Sequence, residues 1–366
     1  MRCKIPEADS ASDTSRLGVV PPRDRMDHMD RSWVKAPGTR TVSLWYRLKA
    51  AYPKTGEDPT LNAPPLATLI EAASSIILGK TREIKLAFVC LLAGGHLLIE
   101  DLPGVGKTTL AHLLARLLGL QYSRIQFTSD MLPADVLGVS VYDRAAEQFR
   151  FHPGPVFAQV VLADEINRAT PKAQSALLEA MEERQVTADG ETRALPQPFF
   201  VIATQNPAHQ VGTFPLPESQ LDRFLMRIAL GYPDLAQERT LLAGADRRAM
   251  LSSLQPLLSA EALIQSQAQV DQIHAAAPII DYCLDILNYS RSSNRFRHGL
   301  SPRAGLGLLR AARAWAMVEG RDYVAPDDVQ QVLPAVVSHR LAQETEQGMH
   351  ADPSVAAQIL DAVPIP

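Results

Sequence analysis

Residues 96–118 constrain this chain more than any other stretch. His96-Leu97-Leu98-Ile99-Glu100 is a short apolar run of strand length. Asp101-Leu102-Pro103-Gly104-Val105-Gly106-Lys107-Thr108-Thr109 follows, and from Thr108 onward Leu110, Leu113, Leu114, Leu117 and Leu118 recur at helical spacing. A strand, a glycine-bearing turn and a helix in that order form a cradle for phosphate groups. The loop's N–H groups and the positive helix N-terminus hold the anionic oxygens. Lys107 reaches the outer phosphates and the Thr108 hydroxyl takes an Mg2+ ion, while Pro103, Gly104, Val105, Gly106 and Thr109 complete the loop. The general pattern asks for a glycine where Asp101 stands, but Gly104 and Gly106 still allow the tight turn. The plain alternative is a strand-turn-helix with a surface lysine.

A second chemical centre is Val160-Val161-Leu162-Ala163-Asp164-Glu165-Ile166-Asn167-Arg168. The unbroken apolar run suits a parallel strand covered on both faces. Its two carboxylates fall at the C-terminal end, where open α/β sheets bind ligands. Asp164 suits the shell of an Mg2+ ion, and Glu165 suits a base that polarises the water attacking a γ-phosphate. A strand ending in surface acids is the alternative, and the cradle upstream weighs against it. Phe199-Phe200-Val201-Ile202-Ala203-Thr204 is another buried strand, ending in Gln205-Asn206-Pro207. That puts Asn206 at the same sheet edge, able to orient water or sense the γ-phosphate, although an asparagine before proline by itself marks a turn.

Composition narrows the classes. A chain of 366 residues can build two domains with proper cores. A net charge of −4 and a pI near 6.2 argue against a nucleic-acid binder that works by bulk electrostatics. Cys3, Cys90 and Cys283 lie far apart without metal-ligand spacing, as free thiols of a reducing compartment do. No run approaches the roughly 18 apolar residues of a membrane span, and residues 1–30 lack the apolar core of a secretory signal. The sequence thus predicts a cytoplasmic protein without membrane insertion.

In chain order, residues 1–60 are polar and proline-containing, expected as a disordered or loosely attached tail. A short helix over 42–51 has no assigned role, and Met26 and Met29 leave room for an over-called start. Helices are expected from about 66 and over 80–92, and a strand over 122–127. A short helix capped by Ser129 or Asp130 comes next. Residues 139–151 read as a hairpin, with Val139, Val141, Phe149 and Phe151 flanking a polar turn. After a helix from Pro171, residues 185–195 read as a second hairpin around Asp189-Gly190. From 233 the chain turns helical: 235–245, 260–276, 278–290, a helix capped by Ser301 with Pro302 first, and another from Pro326. Arg303 stands in the first turn of its helix, where a cation repels the dipole, so a compensating anion is expected there.

Four runs taken together, Gly104 to Thr108, Asp164-Glu165-Ile166-Asn167-Arg168, Ala203-Thr204-Gln205-Asn206-Pro207 and Leu216-Pro217-Glu218-Ser219-Gln220-Leu221-Asp222-Arg223-Phe224, resemble the MoxR family of AAA+ ATPases. The resemblance covers roughly residues 66–345, and in that family the first loop glycine is commonly replaced, as by Asp101 here. It implies a P-loop α/β core with a parallel sheet over 61–232, carrying two hairpin inserts. An all-α lid over 233–345 and a C-terminal tail over 346–366 follow. Lys107 and Thr108 match Walker A, and Asp164 and Glu165 match Walker B with Glu165 as base. Asn206 matches sensor 1, Arg303 sensor 2, and Arg223 the arginine finger that reaches a neighbouring subunit's nucleotide, with Arg227 close enough to dispute it. The two hairpins match inserts that place the family near magnesium chelatase subunits. The implied function is ATP hydrolysis with Mg2+ between subunits of a homo-oligomeric, hexameric ring. The ring would act as a chaperone that matures or activates protein complexes, beside a von Willebrand factor A domain protein. Two other readings stay open: a chelatase-like motor for metal insertion, and a nucleotide-dependent scaffold without turnover.

Overall fold

The computed structural model describes residues 66–206, 213–244, 247–293, 295–341, 343–345, 348–350 and 354–366. All of them belong to one of the two compact units into which the chain divides, the one spanning 56–366. The tail expected over 1–60, with its helix over 42–51 and Cys3, lies outside the described residues, as does Pro207.

Two helices open the fold, α1 (Leu66–Ile76) and α2 (Thr81–Leu92). Strand β1 (Leu97–Glu100), helix α3 (Lys107–Leu117) and strand β2 (Tyr122–Gln126) follow. A short helix α4 (Pro133–Leu137) leads into the hairpin β3 (Gly138–Asp143) and β4 (Gln148–Pro153). Strand β5 (Val160–Asp164) and helix α5 (Pro171–Glu183) precede the second hairpin, β6 (Gln185–Ala188) and β7 (Glu191–Ala194). Strand β8 (Phe200–Gln205), one-turn helix α6 (Glu218–Leu221) and strand β9 (Met226–Ile228) complete the sheet region.

The central sheet runs β2-β5-β8-β1-β9, with every neighbouring pair parallel. Successive residues feed opposite faces, as the two-residue period requires. Leu97, Ile99, Val160, Leu162, Phe200 and Ile202 pack into one core with α1, α2, α3 and the C-terminal helices. Leu98, Val161, Ala163, Val201 and Ala203 pack into the other with α5. Both faces are covered, which is why these strands read as unbroken apolar runs. His96 pins the layers at the strand starts: its Nδ1 accepts the Val201 N–H at 3.0 Å and its Nε2 meets the Met181 carbonyl at 3.3 Å. Burial pushes the imidazole down to about 4, so it stays neutral.

The rest is mainly helical: α7 (Leu235–Ala243), α8 (Arg247–Ser253), α9 (Ala260–Val270), α10 (Ala277–Ser292), α11 (Pro302–Val318) and α12 (Pro326–Val337). A small strand pair, β10 (Gln343–Thr345) and β11 (Gly348–His350), and helix α13 (Ser354–Ala362) close the chain. Ser301 caps α11, its hydroxyl accepting the Ala304 N–H at 3.1 Å. Among the described residues no helix is long and apolar enough to cross a membrane. Cys90 and Cys283 are free and buried, and burial raises both thiols, Cys283 to about 11.

Two expectations need correction, and one element is new. Neither Ser129 nor Asp130 caps α4. Leu132 stands at that position, held extended (φ −98°, ψ 157°) before Pro133, and the Asp135 side chain accepts its N–H at 2.8 Å. Helix α8 was not expected at all. The stretch 346–366, expected as a tail, carries α13, whose Val355, Ala356 and Ile359 are buried in the main core.

Candidate nucleotide and hydrolysis site

The strand-turn-helix unit forms as its sequence predicts. Gly104 and Gly106 adopt φ of 85° and 102°, left-handed values that favour glycine. A Cβ at either would meet no atom within 4 Å. Backbone conformation therefore requires these glycines, and open space lies before the loop. Lys107 is nearly buried, its Nζ donating to the Asp101 carbonyl at 2.5 Å and to Asn206 Oδ1 at 3.0 Å. Burial lowers its pKa, while the acids Asp101, Asp164, Glu165 and Glu100 oppose that shift. The Asp101 carboxylate turns into the backbone instead: Oδ1 accepts the Leu102 N–H at 2.7 Å and Oδ2 the Gly231 N–H at 2.6 Å.

At the end of β5, Asp164 accepts the Thr204 hydroxyl at 2.5 Å on Oδ1. On Oδ2 it takes the Arg124 guanidinium, Nη2 at 2.6 Å and Nε at 3.1 Å. The Thr204 oxygen in turn accepts the Glu165 N–H at 2.9 Å, stapling β8 to the turn after β5. Glu165 has φ 56° and ψ 46°, a left-handed conformation that costs a non-glycine residue about 1–2 kcal/mol. Strain of this kind gathers at functional positions. Its carboxylate is held by Arg168 Nε at 2.7 Å, Gln126 Nε2 at 3.3 Å and Asn206 Nδ2 at 3.4 Å. Asn206 thus bridges both centres, its amide oxygen on Lys107 and its amide nitrogen on Glu165. Its backbone carbonyl accepts Asn167 Nδ2 at 3.2 Å.

The arginines divide. Arg227 lies on β9 and pairs with Glu100 at 2.7 Å, both side chains largely covered. Arg223 is half-buried in the turn between α6 and β9, and its guanidinium makes no hydrogen bond or ion pair with any described residue. Arg303 forms an ion pair with Glu182 at the end of α5, so its expected anion is a carboxylate of this chain. Sequence reasoning passed over Arg124, Gln126 and Arg168. The first two sit two residues apart on β2, on the face that meets Asp164 and Glu165.

The donor set is hard oxygen: the Thr108 hydroxyl and Asp164, with Glu165 beside them. That chemistry fits Mg2+ better than a softer ion. Among the described residues no group of three or more His, Cys, Asp or Glu could hold a metal by itself. The donors instead match an ion carried largely by phosphate oxygens.

Comparison with known proteins identifies the assembly of features. Residues 96–226 match the family described as "ATPase family associated with various cellular activities (AAA)", and residues 288–359 match the AAA lid domain. The protein YeaC of Bacillus subtilis is 43% identical, over 83% of this chain and 95% of its own. The chaperone MoxR1 of Mycobacterium tuberculosis is 40% identical, over 84% of this chain and 82% of its own. Protein MoxR of Paracoccus denitrificans is 35% identical over 74% and 86%. The chain belongs to the MoxR family of AAA+ ATPases. As a MoxR-family member it is an ATP-binding hydrolase with a parallel-sheet core and an AAA lid. A crystal structure of an ATPase candidate from Cytophaga hutchinsonii agrees in fold, with a TM-score of 0.74 and 33% identity, covering 82% of this chain and 94% of that one.

Proposed function

We propose that this MoxR-family ATPase hydrolyses Mg-ATP between subunits of a homo-oligomeric ring and uses the cycle as a chaperone of protein complexes. The observation that carries the reading is the Lys107–Asn206–Glu165 chain of contacts, which joins the phosphate cradle to the acid at the end of β5. Residues 103–109 would cradle the phosphates, Lys107 neutralising the outer ones. Thr108 and Asp164 would hold the Mg2+ ion, which when bound screens phosphate charge. Glu165 would accept a proton from the attacking water, and Asn206 would keep that acid and the γ-phosphate in register. Domain limits of 61–232 for the core and 233–345 for the lid serve this reading, with Arg303 reaching back from the lid.

Arg223 is the better candidate than Arg227 for the finger. Arg227 is already committed to Glu100 within the chain, whereas none of the guanidinium donors of Arg223 is spent on a described residue. The chaperone role follows the printed name of the Mycobacterium relative. A scaffold without turnover conflicts with membership of an ATP-hydrolysing family, and a chelatase-like motor is not favoured.

Two variants test the division of labour. Lys107→Ala should abolish nucleotide binding measured by fluorescent-nucleotide titration. Glu165→Gln should keep binding within a few-fold while hydrolysis falls roughly 10²–10⁴-fold, the range expected for loss of a general base. Wild-type turnover by Glu165→Gln would overturn the assignment.

A further inference from the structure

One carboxylate outside the cradle has an unusual set of partners. Asp222 directly precedes Arg223 in the turn between α6 and β9. Its Oδ1 accepts Arg340 Nε at 2.7 Å, just beyond α12. Its Oδ2 accepts the hydroxyl of Ser301 at 3.1 Å. That hydroxyl is the cap of α11, whose second residue is Arg303. The Arg340 guanidinium is itself almost fully covered, its side chain 6% exposed. It spends its remaining donors on backbone carbonyls: Phe224 at 2.6 Å, Leu225 at 3.0 Å, Asp222 at 3.2 Å, and Val336. His339 adds a contact of 2.9 Å to the Phe224 carbonyl through Nε2. The backbone from 222 to 225 is thus clamped from the C-terminal helices, while the Arg223 guanidinium, making no bond of its own to any described residue, goes where that backbone aims it.

We infer that Asp222 is a positioning residue that ties the turn bearing Arg223 to the cap of the helix bearing Arg303, so that the arginine offered to the neighbouring subunit is aimed from the lid. The inference rests on the reading of Arg223 as a finger acting in trans. A purely local role for Asp222, neutralising the buried Arg340, accounts for the Oδ1 contact. It leaves the Ser301 contact without a purpose. A carboxylate that bonds both the clamp on the finger turn and the cap of α11 joins those two elements.

The test separates these roles by reading the neighbour's site rather than the residue's own. Arg223→Ala subunits have a sound cradle and lack the finger; Lys107→Ala subunits have the finger and a dead cradle. Mixed, they should regain ATPase activity. The donor is then replaced by Lys107→Ala/Asp222→Asn, and separately by Lys107→Ala/Ser301→Ala, which leaves the Arg340 ion pair intact. Mixed assembly is measured in each case by analytical ultracentrifugation with one subunit labelled. Misplacement of a reacting group by about 1 Å can cost on the order of 10²-fold. The Asp222→Asn donor should therefore restore at least about tenfold less activity than the plain donor at equal assembly, with Ser301→Ala moving the same way by less. Equal restoration by either double-variant donor overturns the inference. If the plain Lys107→Ala donor restores nothing while mixed oligomers form, the trans finger fails first and takes this inference with it.

Discussion

At the cradle every charged group is answered within the chain. Lys107 rests on Asp101 and Asn206, Asp164 on Thr204 and Arg124, Glu165 on Arg168, Gln126 and Asn206. At the turn after α6, Arg223 is half-buried and answered by no described residue. Groups with internal partners can wait for a ligand at little cost and exchange those partners when it comes. A guanidinium has five donors and always carries its charge, so one that no described residue answers suits a partner outside the chain. Arg227, four residues on, makes the contrast sharper: it resembles Arg223 in sequence and the cradle residues in structure, since Glu100 answers it.

The strongest way to break this contrast is to remove each arginine in turn. Arg223→Ala should bind nucleotide normally and hydrolyse it roughly 10³–10⁵-fold more slowly, the loss seen when a finger is removed from phosphoryl transfer. Arg227→Ala should cost stability instead, about 1–3 kcal/mol for leaving the largely covered Glu100 carboxylate unpaired, read by urea unfolding. If the two exchange these phenotypes, Arg227 is the finger. A middle-sized effect is expected at Arg124, which occupies the oxygen of Asp164 that faces β2. Its side chain is 47% exposed, so the pair is worth no more than about 0.2–1 kcal/mol. Arg124→Ala should lower the half-saturating Mg2+ concentration of the ATPase about two- to fivefold; an unchanged or higher value means that Arg124 does not compete with the ion. The smallest effect belongs to Asp101. Its carboxylate faces the Leu102 and Gly231 amides rather than the open loop, so Asp101→Gly should leave nucleotide affinity within a few-fold. A hundredfold gain, about 2.7 kcal/mol, would make the aspartate a brake on binding.

The sheet strands, the cradle and the Asp164, Glu165 and Asn206 cluster were legible because apolar runs buried on both faces cannot be solvent-facing segments. Their polar ends inherit that certainty. Arg124 and Gln126 were not legible: on an edge strand, polar residues at alternate positions read as a wet face, and only the parallel register with β5 shows what they meet. Arg168 hid in the same way, its bond to Glu165 depending on the tight turn after β5. The partner of Arg303 was out of reach too, since Glu182 lies 121 residues away. Helix α13 was legible and missed: Val355, Ala356, Ile359 and Leu360 recur at helical spacing, and the short length masked the signal. The cap of α4 was misread because Pro133 fixes the start of the helix more firmly than a nearby serine can.

The two hairpins that leave the sheet region touch each other. Arg193 of β7 lies over the ring of Phe151 of β4, 3.9 Å from its centre, and Phe151 packs edge-on against Phe157. A lone two-stranded ribbon, rooted only at its ends, bends like a cantilever. Joined part-way along to a second rooted ribbon, it becomes one side of a triangle, and triangles resist shear. A load at the exposed ring of Phe149, near the turn of the first hairpin, is then carried through the brace into β7. From there it runs on along the chain into β8, the strand that Asn206 directly follows.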